Sequence, residues 1–409
     1  MREEDIVALS AWIAEVSLKG RPATRFIENL AERARGCGLP LARMVLLMDT
    51  LHPIYEGRAF RWDRAKGQAD VTEYGSTAEG EAAERWRASP FYRMLETGER
   101  TFRRRIDADT VAEYASLAEH RDAGLTDYVA MIRRFTSDGV IGEMDCFYAS
   151  WMTDRPGGFS DEDIAALERL TPFVGLAVKS DALTRIAETL VQTYLGRDTG
   201  RRVLSGRIAR GVADRIRTVL WFSDLRNYTR ISDSAEPEQI IPLLNDYADA
   251  VVTAIEAHSG DVLKLIGDGV LAIFPAEDLA AATNAALAAA REAGAAVVEL
   301  NARRTSEGLP ATEMYLGLHL GDVFYGNIGS KERLDFTVVG PAVNEVARIA
   351  AMCRSVDQPV LVSSAFANAF GEGQRLFVSV GRFALRGVGR PQELYTLDDE
   401  ALDVAPAQI

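Results

Sequence analysis

The chain has 409 residues, 47% of them hydrophobic and 26% charged, with a formal net charge of −14 at pH 7. That length predicts two or three domains, each able to bury its own core, and the composition is that of an ordinary globular protein rather than a collagenous or disordered one. The acidic surplus argues against nucleic acid or an anionic membrane as partner, so a polyanionic substrate would need locally placed cations or bridging metal ions.

In chain order, DIVALSAWIAEVSLKG puts Ile6, Leu9, Trp12, Ile13 and Val16 at helical spacing, and a second helix is expected over 23–36, ending at Gly36-Cys37-Gly38. RMVLLMDT (43–50) predicts a strand, and FRWD (60–63) is read as beginning another. RASPFYRMLETGE and VAEYASLAEH read as helices, whereas DYVAMIRRF (127–135) and EMDCFYASW (143–151) read as strands of one sheet. DRPGGFSDEDIAALERL is a turn leading into a helix, with Ser160 as N-cap and Glu162 and Asp163 in the first turn, where the helix dipole favours acids. This order of elements predicts an α+β sheet domain. Through GLTDYVAMIRRF and TDRPGGFSDEDIAALERL it resembles a GAF sensory domain, expected over 1–175. The resemblance implies a possible small-molecule ligand for this part of the chain, without fixing which.

Between 176 and 195, Leu176, Leu183, Ile186, Leu190 and Tyr194 fall close to a heptad seam. With the arginine-dense LGRDTGRRVLSGRIARG that follows, this predicts a helical stalk over 176–204 that pairs across a dimer. A solvated hinge explains the arginines better than a nucleic-acid patch does. From 217 the pattern changes. RTVLWF is a strand, EPEQIIPLLNDYADAVVTAIEAH a helix, and DVLKLI and VLAIF a hairpin joined at Gly267-Asp268-Gly269. The alanine-rich segment near 279–304 is a helix. MYLGLHL, DVFYGNI and DFTVV are read as three strands, Gly340-Pro341 opens another helix, and QPVLVS, LFVSV and ELYTL complete a mixed sheet.

Cys37, Cys146 and Cys353 form neither a metal-ligand spacing nor a disulfide framework and read as free core thiols of a reducing cytoplasm. His52, His120, His258 and His319 share no ligand spacing. No apolar run approaches the about 20 residues that span a bilayer, and no apolar-cored leader opens the chain, so a cytoplasmic protein is expected.

Three patterns sit at element ends. In LWFSDLRNYTRISD a buried strand delivers Asp224 to its end, and the polar turn after it can present N–H groups to an anion. Asp268 stands at the hairpin tip. Two such carboxylates suit Mg²⁺ or Mn²⁺, although an N-cap for Asp224 and a turn role for Asp268 also fit. Lys264 interrupts an apolar strand; a snorkelling surface lysine is the plain reading. In DFTVVGPAVNEVARIA, Pro341 suits the first helical turn and Asn344 and Arg348 project from one helix face, as a phosphate-binding pair or a solvated one.

Taken together, FSDLRNYT, KLIGDG and FTVVGPAVNEVAR resemble the catalytic segments of class III nucleotidyl cyclases, over about 205–397. The resemblance implies an α/β sandwich of ferredoxin-like (palm) type, followed by a tail at 398–409. It implies that Asp224, Asp268 and the Leu225 carbonyl hold two Mg²⁺ (or Mn²⁺) ions, and that the turn Arg226, Asn227, Tyr228 and Thr229 cradles phosphates. It assigns Lys264 and Thr337 to the base, Asn344 to the ribose and Arg348 to the α-phosphate. A lysine donates to adenine N1, so the substrate implied is ATP, converted to 3′,5′-cyclic AMP and pyrophosphate. The site would be shared between two chains in a head-to-tail homodimer. Two positions depart from the family: Thr337 stands where many members have aspartate, and Asn227 replaces a common glycine, a change compatible with left-handed backbone. The alternatives are a guanylate or mixed-specificity cyclase and a catalytically silent dimeric module.

Overall fold

The structure, a computed structural model, describes residues 1–20, 22–107, 113–135, 141–142, 144–275, 277–370 and 376–398. Residues 111–112 of one expected helix, Glu143 of one expected strand and 399–409 of the expected tail lie outside them. The chain divides into two compact units, Met1–Leu190 and Val191–Ile409.

The first unit is built on six strands, β1 (Arg43–Asp49), β2 (Gly57–Asp63), β3 (Gln68–Tyr74), β4 (Thr101–Arg105), β5 (Asp127–Arg134) and β6 (Cys146–Thr153). They lie in the order β3-β2-β1-β6-β5-β4, every neighbouring pair antiparallel. Helices α1 (Glu3–Leu18) and α2 (Ala23–Gly36) pack Ile13, Phe26, Ile27 and Leu30 against Leu46, Trp62, Met131 and Trp151 on one face. The stripe read in the first helix is the buried one, and Trp12 stacks on Phe26 with ring centroids 5.9 Å apart. Helices α3 (Gly80–Arg87) and α4 (Pro90–Thr97) and a short α5 (Ala118–Asp122) lie in the connections; Phe91 and Met94 of α4 cover Tyr128, Ile132 and Tyr148 on the other face. Strands β5 and β6 are buried on both faces, which is why they read as unbroken apolar runs.

Three readings need correction here. FRWD ends a strand that starts at Gly57 rather than beginning one. VAEYASLAEH gives a 3₁₀ turn at Ala115–Leu117 before α5, not one helix. The helix that Ser160 caps, its hydroxyl accepting from Asp163 N–H at 3.2 Å, runs on through Pro172 as a single element, α6 (Asp161–Leu195). Ile186 of this helix is buried in the first unit's core with Leu183 and Leu190 packed on it, while Leu176 and Tyr194 are exposed.

The second unit holds α7 (Arg197–Leu204), β7 (Ala213–Leu225), α8 (Tyr228–Ser234), α9 (Pro237–Ala257), the hairpin β8 (Asp261–Ile266) and β9 (Gly269–Pro275), and α10 (Leu279–Ser306). After these come β10 (Met314–Gly329), β11 (Leu334–Val339), α11 (Pro341–Val356), β12 (Val360–Ser363), α12 (Ser364–Ala369), β13 (Phe377–Phe383) and β14 (Gln392–Leu397). The sheet order is β13-β14-β12-β10-β7-β9-β8, with β11 paired to β10. Helices α9 and α10 bury Leu243, Tyr247, Ile255, Ala286 and Ala290 against Trp221, Ala272 and Leu316 on one face; α11 covers the other with Val346, Ile349 and Cys353. The two strands expected from MYLGLHL and DVFYGNI are one. Gly321 and Asp322 remain in register opposite Thr218 and Arg217, and Gly321 is there because a Cβ would stand 2.5 Å from that of Ala342 at the start of α11. The single long strand pairs with β12 through Leu316–Leu318 and with β11 through Phe324–Gly329.

Among the described residues no helix is long and apolar enough to cross a membrane. Cys146 and Cys353 are buried free thiols and Cys37 is half-buried.

Candidate active site

The buried strand β7 ends in Ser223, Asp224 and Leu225, and the β8–β9 hairpin folds back beside it, pairing Ser223 with Val270. Two glycines make the tip possible. Gly267 has φ 64°, and a Cβ on Gly269 would stand 2.9 Å from the Ser223 carbonyl oxygen. Asp268 is thereby set against the end of β7. The Leu225 N–H donates to Asp224 Oδ1 at 3.1 Å and to Asp268 Oδ2 at 3.2 Å, so one backbone donor reaches both carboxylates. Burial, followed by the hydrogen bond and the negative charge of Asp268, raises the Asp224 pKa above the usual carboxylate range. The pair is an acidic grip with no ion-pair partner among the described residues, the donor set that hard divalent cations take. No cluster of three or more acid, histidine or cysteine ligands occurs among the described residues; the residues expected to hold metal, Asp224, Leu225 and Asp268, stand together at this strand end. A recess of about 190 Å³ beside them is lined by Asp224, Leu225, Asp268, Asn245 and Tyr247.

The turn after Leu225 survives its departure from glycine. Asn227 takes φ 57° and ψ 25° in the left-handed region, and the chain enters α8 at Tyr228. Its side chains lead elsewhere. The Arg226 guanidinium engages Glu313 and Asp357 and sits 5.7 Å from the Tyr315 ring centroid, and Tyr228 packs against the core. The Arg226 N–H donates to the Glu313 carbonyl at 2.8 Å, and Asn227 and Thr229 are the exposed residues of the turn.

A second group forms where β8 meets β11. Leu263 of β8 and Phe336 and Val338 of β11 enter one hydrophobic cluster; Asp335 and Thr337 alternate with the latter two on the other face of β11, and Lys264 follows Leu263 at the point where the β8–β9 register shifts. Lys264 Nζ donates to Asp335 Oδ2 at 2.6 Å. Thr337 is only 6% exposed, and its hydroxyl has no hydrogen-bond partner among the described residues. On α11, Asn344 is exposed and Arg348 half-buried, one turn apart, and the Arg348 Nε is buried without a partner. Buried polar groups are nearly always satisfied, so orphans at two expected substrate contacts mark places where a ligand can complete the bonding. No hydrogen bond or ion pair among the described residues joins the Asp224–Asp268 group to the Lys264–Thr337 group. Sequence reasoning missed Asp335. Its only local signal was an acid two positions before Thr337 on one strand.

Residues 213–399 match the family described as the adenylate and guanylate cyclase catalytic domain. This stretch carries a cyclase catalytic domain. Its relatives include an uncharacterised protein of Mycobacterium tuberculosis (strain CDC 1551 / Oshkosh), 33% identical over 210 residues, which are 50% of this chain and 36% of that protein. The adenylate cyclase of Anabaena cylindrica is 34% identical over 157 residues, 37% of this chain and 30% of its own length. The chain thus spans about a third of the length of the relatives it matches. Among solved structures, the adenylyl cyclase CyaB from P. aeruginosa is 23% identical with a TM-score of 0.42, covering 46% of this chain and 96% of that one. The cyclase likeness read from FSDLRNYT, KLIGDG and FTVVGPAVNEVAR therefore holds for the catalytic domain.

Proposed function

We propose that the protein is an adenylate cyclase that converts ATP to 3′,5′-cyclic AMP and pyrophosphate. The observation that carries this reading is the pair of adjoining carboxylates, Asp224 and Asp268, bridged by one backbone N–H at the end of β7. Asp224, Asp268 and the Leu225 carbonyl would hold two Mg²⁺ or Mn²⁺ ions, which when bound neutralise the triphosphate and make the ribose 3′-hydroxyl easier to deprotonate. Lys264 and Thr337 hold the base, Lys264 by donating to adenine N1. Asn344 orients the ribose. Arg348 meets the charge that develops on the α-phosphate as the bond from O3′ to phosphorus forms and the bond to pyrophosphate breaks. The turn from Arg226 to Thr229 receives the phosphates, through Asn227 and Thr229, its exposed residues.

The metal-holding and base-holding groups of one chain lack any linking hydrogen bond or ion pair among the described residues. Following the resemblance of these segments to class III cyclases, we read the site as shared head to tail in a homodimer, metals from one chain and Lys264, Thr337, Asn344 and Arg348 from its partner. For the first unit we propose a GAF-like sensory role in a cytoplasmic protein. Its cavity of about 980 Å³, lined among others by Asp49, Arg61, Trp86 and Tyr148, supports a small-molecule ligand there.

The test is cyclic nucleotide formation by the full chain with Mn²⁺ or Mg²⁺. Asp268→Ala should lose at least about a hundredfold in turnover. Asp224→Ala and Arg348→Ala, each inactive alone, should regain about a quarter of wild-type activity when mixed, the statistical share of intact sites in randomly paired two-fold dimers. No regain on mixing would remove the shared site. Cyclic GMP as the main product would replace the adenylate reading by the guanylate one, and no cyclic product at all would leave the silent module.

A further inference from the structure

We propose that Asp335 is a specificity-determining residue, and that the Lys264–Asp335 ion pair, rather than Lys264 with Thr337 alone, reads the purine. The inference rests on the cyclase reading above. Its physical basis is the hydrogen-bond inventory of the β8–β11 face. A threonine hydroxyl carries a single donor and can rotate to donate or accept, so it does not by itself choose between an amino group and a carbonyl. A lysine ammonium offers three donors and no acceptor. The fixed acceptor on this face is the Asp335 carboxylate, 2.6 Å from Lys264 Nζ and two residues from Thr337 on one side of the same strand.

The ion pair does two things. It takes one of the ammonium's donors, which holds a long flexible side chain against β11 and leaves the remaining donors for the ligand. It also places an acceptor beside a donor. Adenine presents the matching edge, with N1 accepting and the 6-amino group donating. Guanine in the same pose presents N1–H to the ammonium and O6 to the carboxylate, a mismatch at both atoms. The pair therefore selects a 6-aminopurine at a site where the aspartate common at position 337 is absent. Asp335 lies one strand repeat before Thr337, on the same face of β11. Asp335 is exposed, its side chain 55% accessible beside 33% for that of Lys264. Because it is exposed, the pair contributes little to folding and is available to a ligand.

The test uses full-length protein, titrated with fluorescent ribose-labelled ATP and GTP analogues and assayed with ATP and GTP in Mn²⁺. Wild type, Asp335→Ala, Asp335→Glu, Lys264→Ala and the double variant with alanine at both positions are compared. Asp335→Ala should lower the preference for ATP over GTP roughly tenfold, one well-placed polar contact, through KM more than kcat. Asp335→Glu should restore most of that preference. The alanine change should add nothing further once Lys264 is gone, since the two act as a unit. Thermal unfolding should be unchanged in Asp335→Ala, which separates selectivity from folding. An Asp335→Ala protein with the wild-type preference overturns the proposal, as does equal weakening toward both nucleotides or a wild type that binds both equally. A wild type that binds ATP selectively without turning it over overturns the cyclase reading instead, and the binding ratio still decides the role of Asp335. Binding of neither nucleotide overturns both.

Discussion

At the scale of single residues, two side chains make contrasting demands. Asn227 sits at φ 57° at the mouth of α8, where L-residues with branched side chains pay a steric cost. Asn227→Val should lower stability by about 1–2 kcal/mol in urea unfolding, whereas Asn227→Gly should be close to neutral. His319 is buried on β10, its Nδ1 2.8 Å from Ser363 Oγ, and burial pushes its pKa down to about 4 from the ordinary 6.5. The folded state thus resists protonating this ring while the unfolded chain accepts the proton from pH 6.5 downward. Its contribution is complete above pH 6.5, falls progressively as pH drops toward 4, and levels off below that. The loss should be on the order of 3 kcal/mol. Denaturant midpoints from pH 7.5 to 4 would record it, and His319→Gln should flatten that part of the curve. The residues that were legible in sequence were those whose setting is local. Asp224, Asp268 and Asn227 announce themselves through turn chemistry, and Asn344 and Arg348 through helix spacing. Asp335 was not legible because its pairing with Lys264 arises from the meeting of two strands, β8 and β11, that sequence alone does not bring together.

At the scale of elements, one phenol is central to how helix α7 is fastened to the sheet. Tyr325 Oη lies 2.8 Å from Thr199 Oγ1, 3.2 Å from Asp261 Oδ2 and 3.4 Å from Asp198 Oδ2, and the Asp198 N–H donates to Asp261 Oδ1 at 3.3 Å. Asp261 is 7% exposed, and burial above all raises its pKa, so it depends on these donors. Tyr325→Phe should cost about 1–3 kcal/mol, the penalty of a buried acceptor left short of a donor. Hydrogen exchange of the Arg197–Leu204 amides should quicken more than that of the β7 amides. Three elements of the first unit that escaped the sequence reading share a cause. β3 is exposed along most of its length, α3 buries only Ala83, and β4 is Thr-Phe-Arg-Arg-Arg, so none carries an apolar period. β10 was divided because Gly321-Asp322 is a turn signal by composition. In the fold, the ladder with β7 runs straight through it.

At the scale of the whole molecule, the second unit has its own sheet and its own hydrophobic clusters. Residues 191–409 expressed alone should therefore unfold cooperatively, with calorimetric and van't Hoff enthalpies in agreement. A broad, non-cooperative melt would show that the unit depends on the rest of the chain. The hydroxyl of Thr337 carries a consequence for this unit as a whole. A polar atom sealed from water with nothing to bond is a standing debit in the resting protein. Thr337→Val keeps the shape and deletes the hydroxyl, so the empty protein should melt at a higher temperature while its grip on nucleotide slackens. Robustness and function would then pull in opposite directions at one atom, and the native sequence would have settled for the less durable molecule.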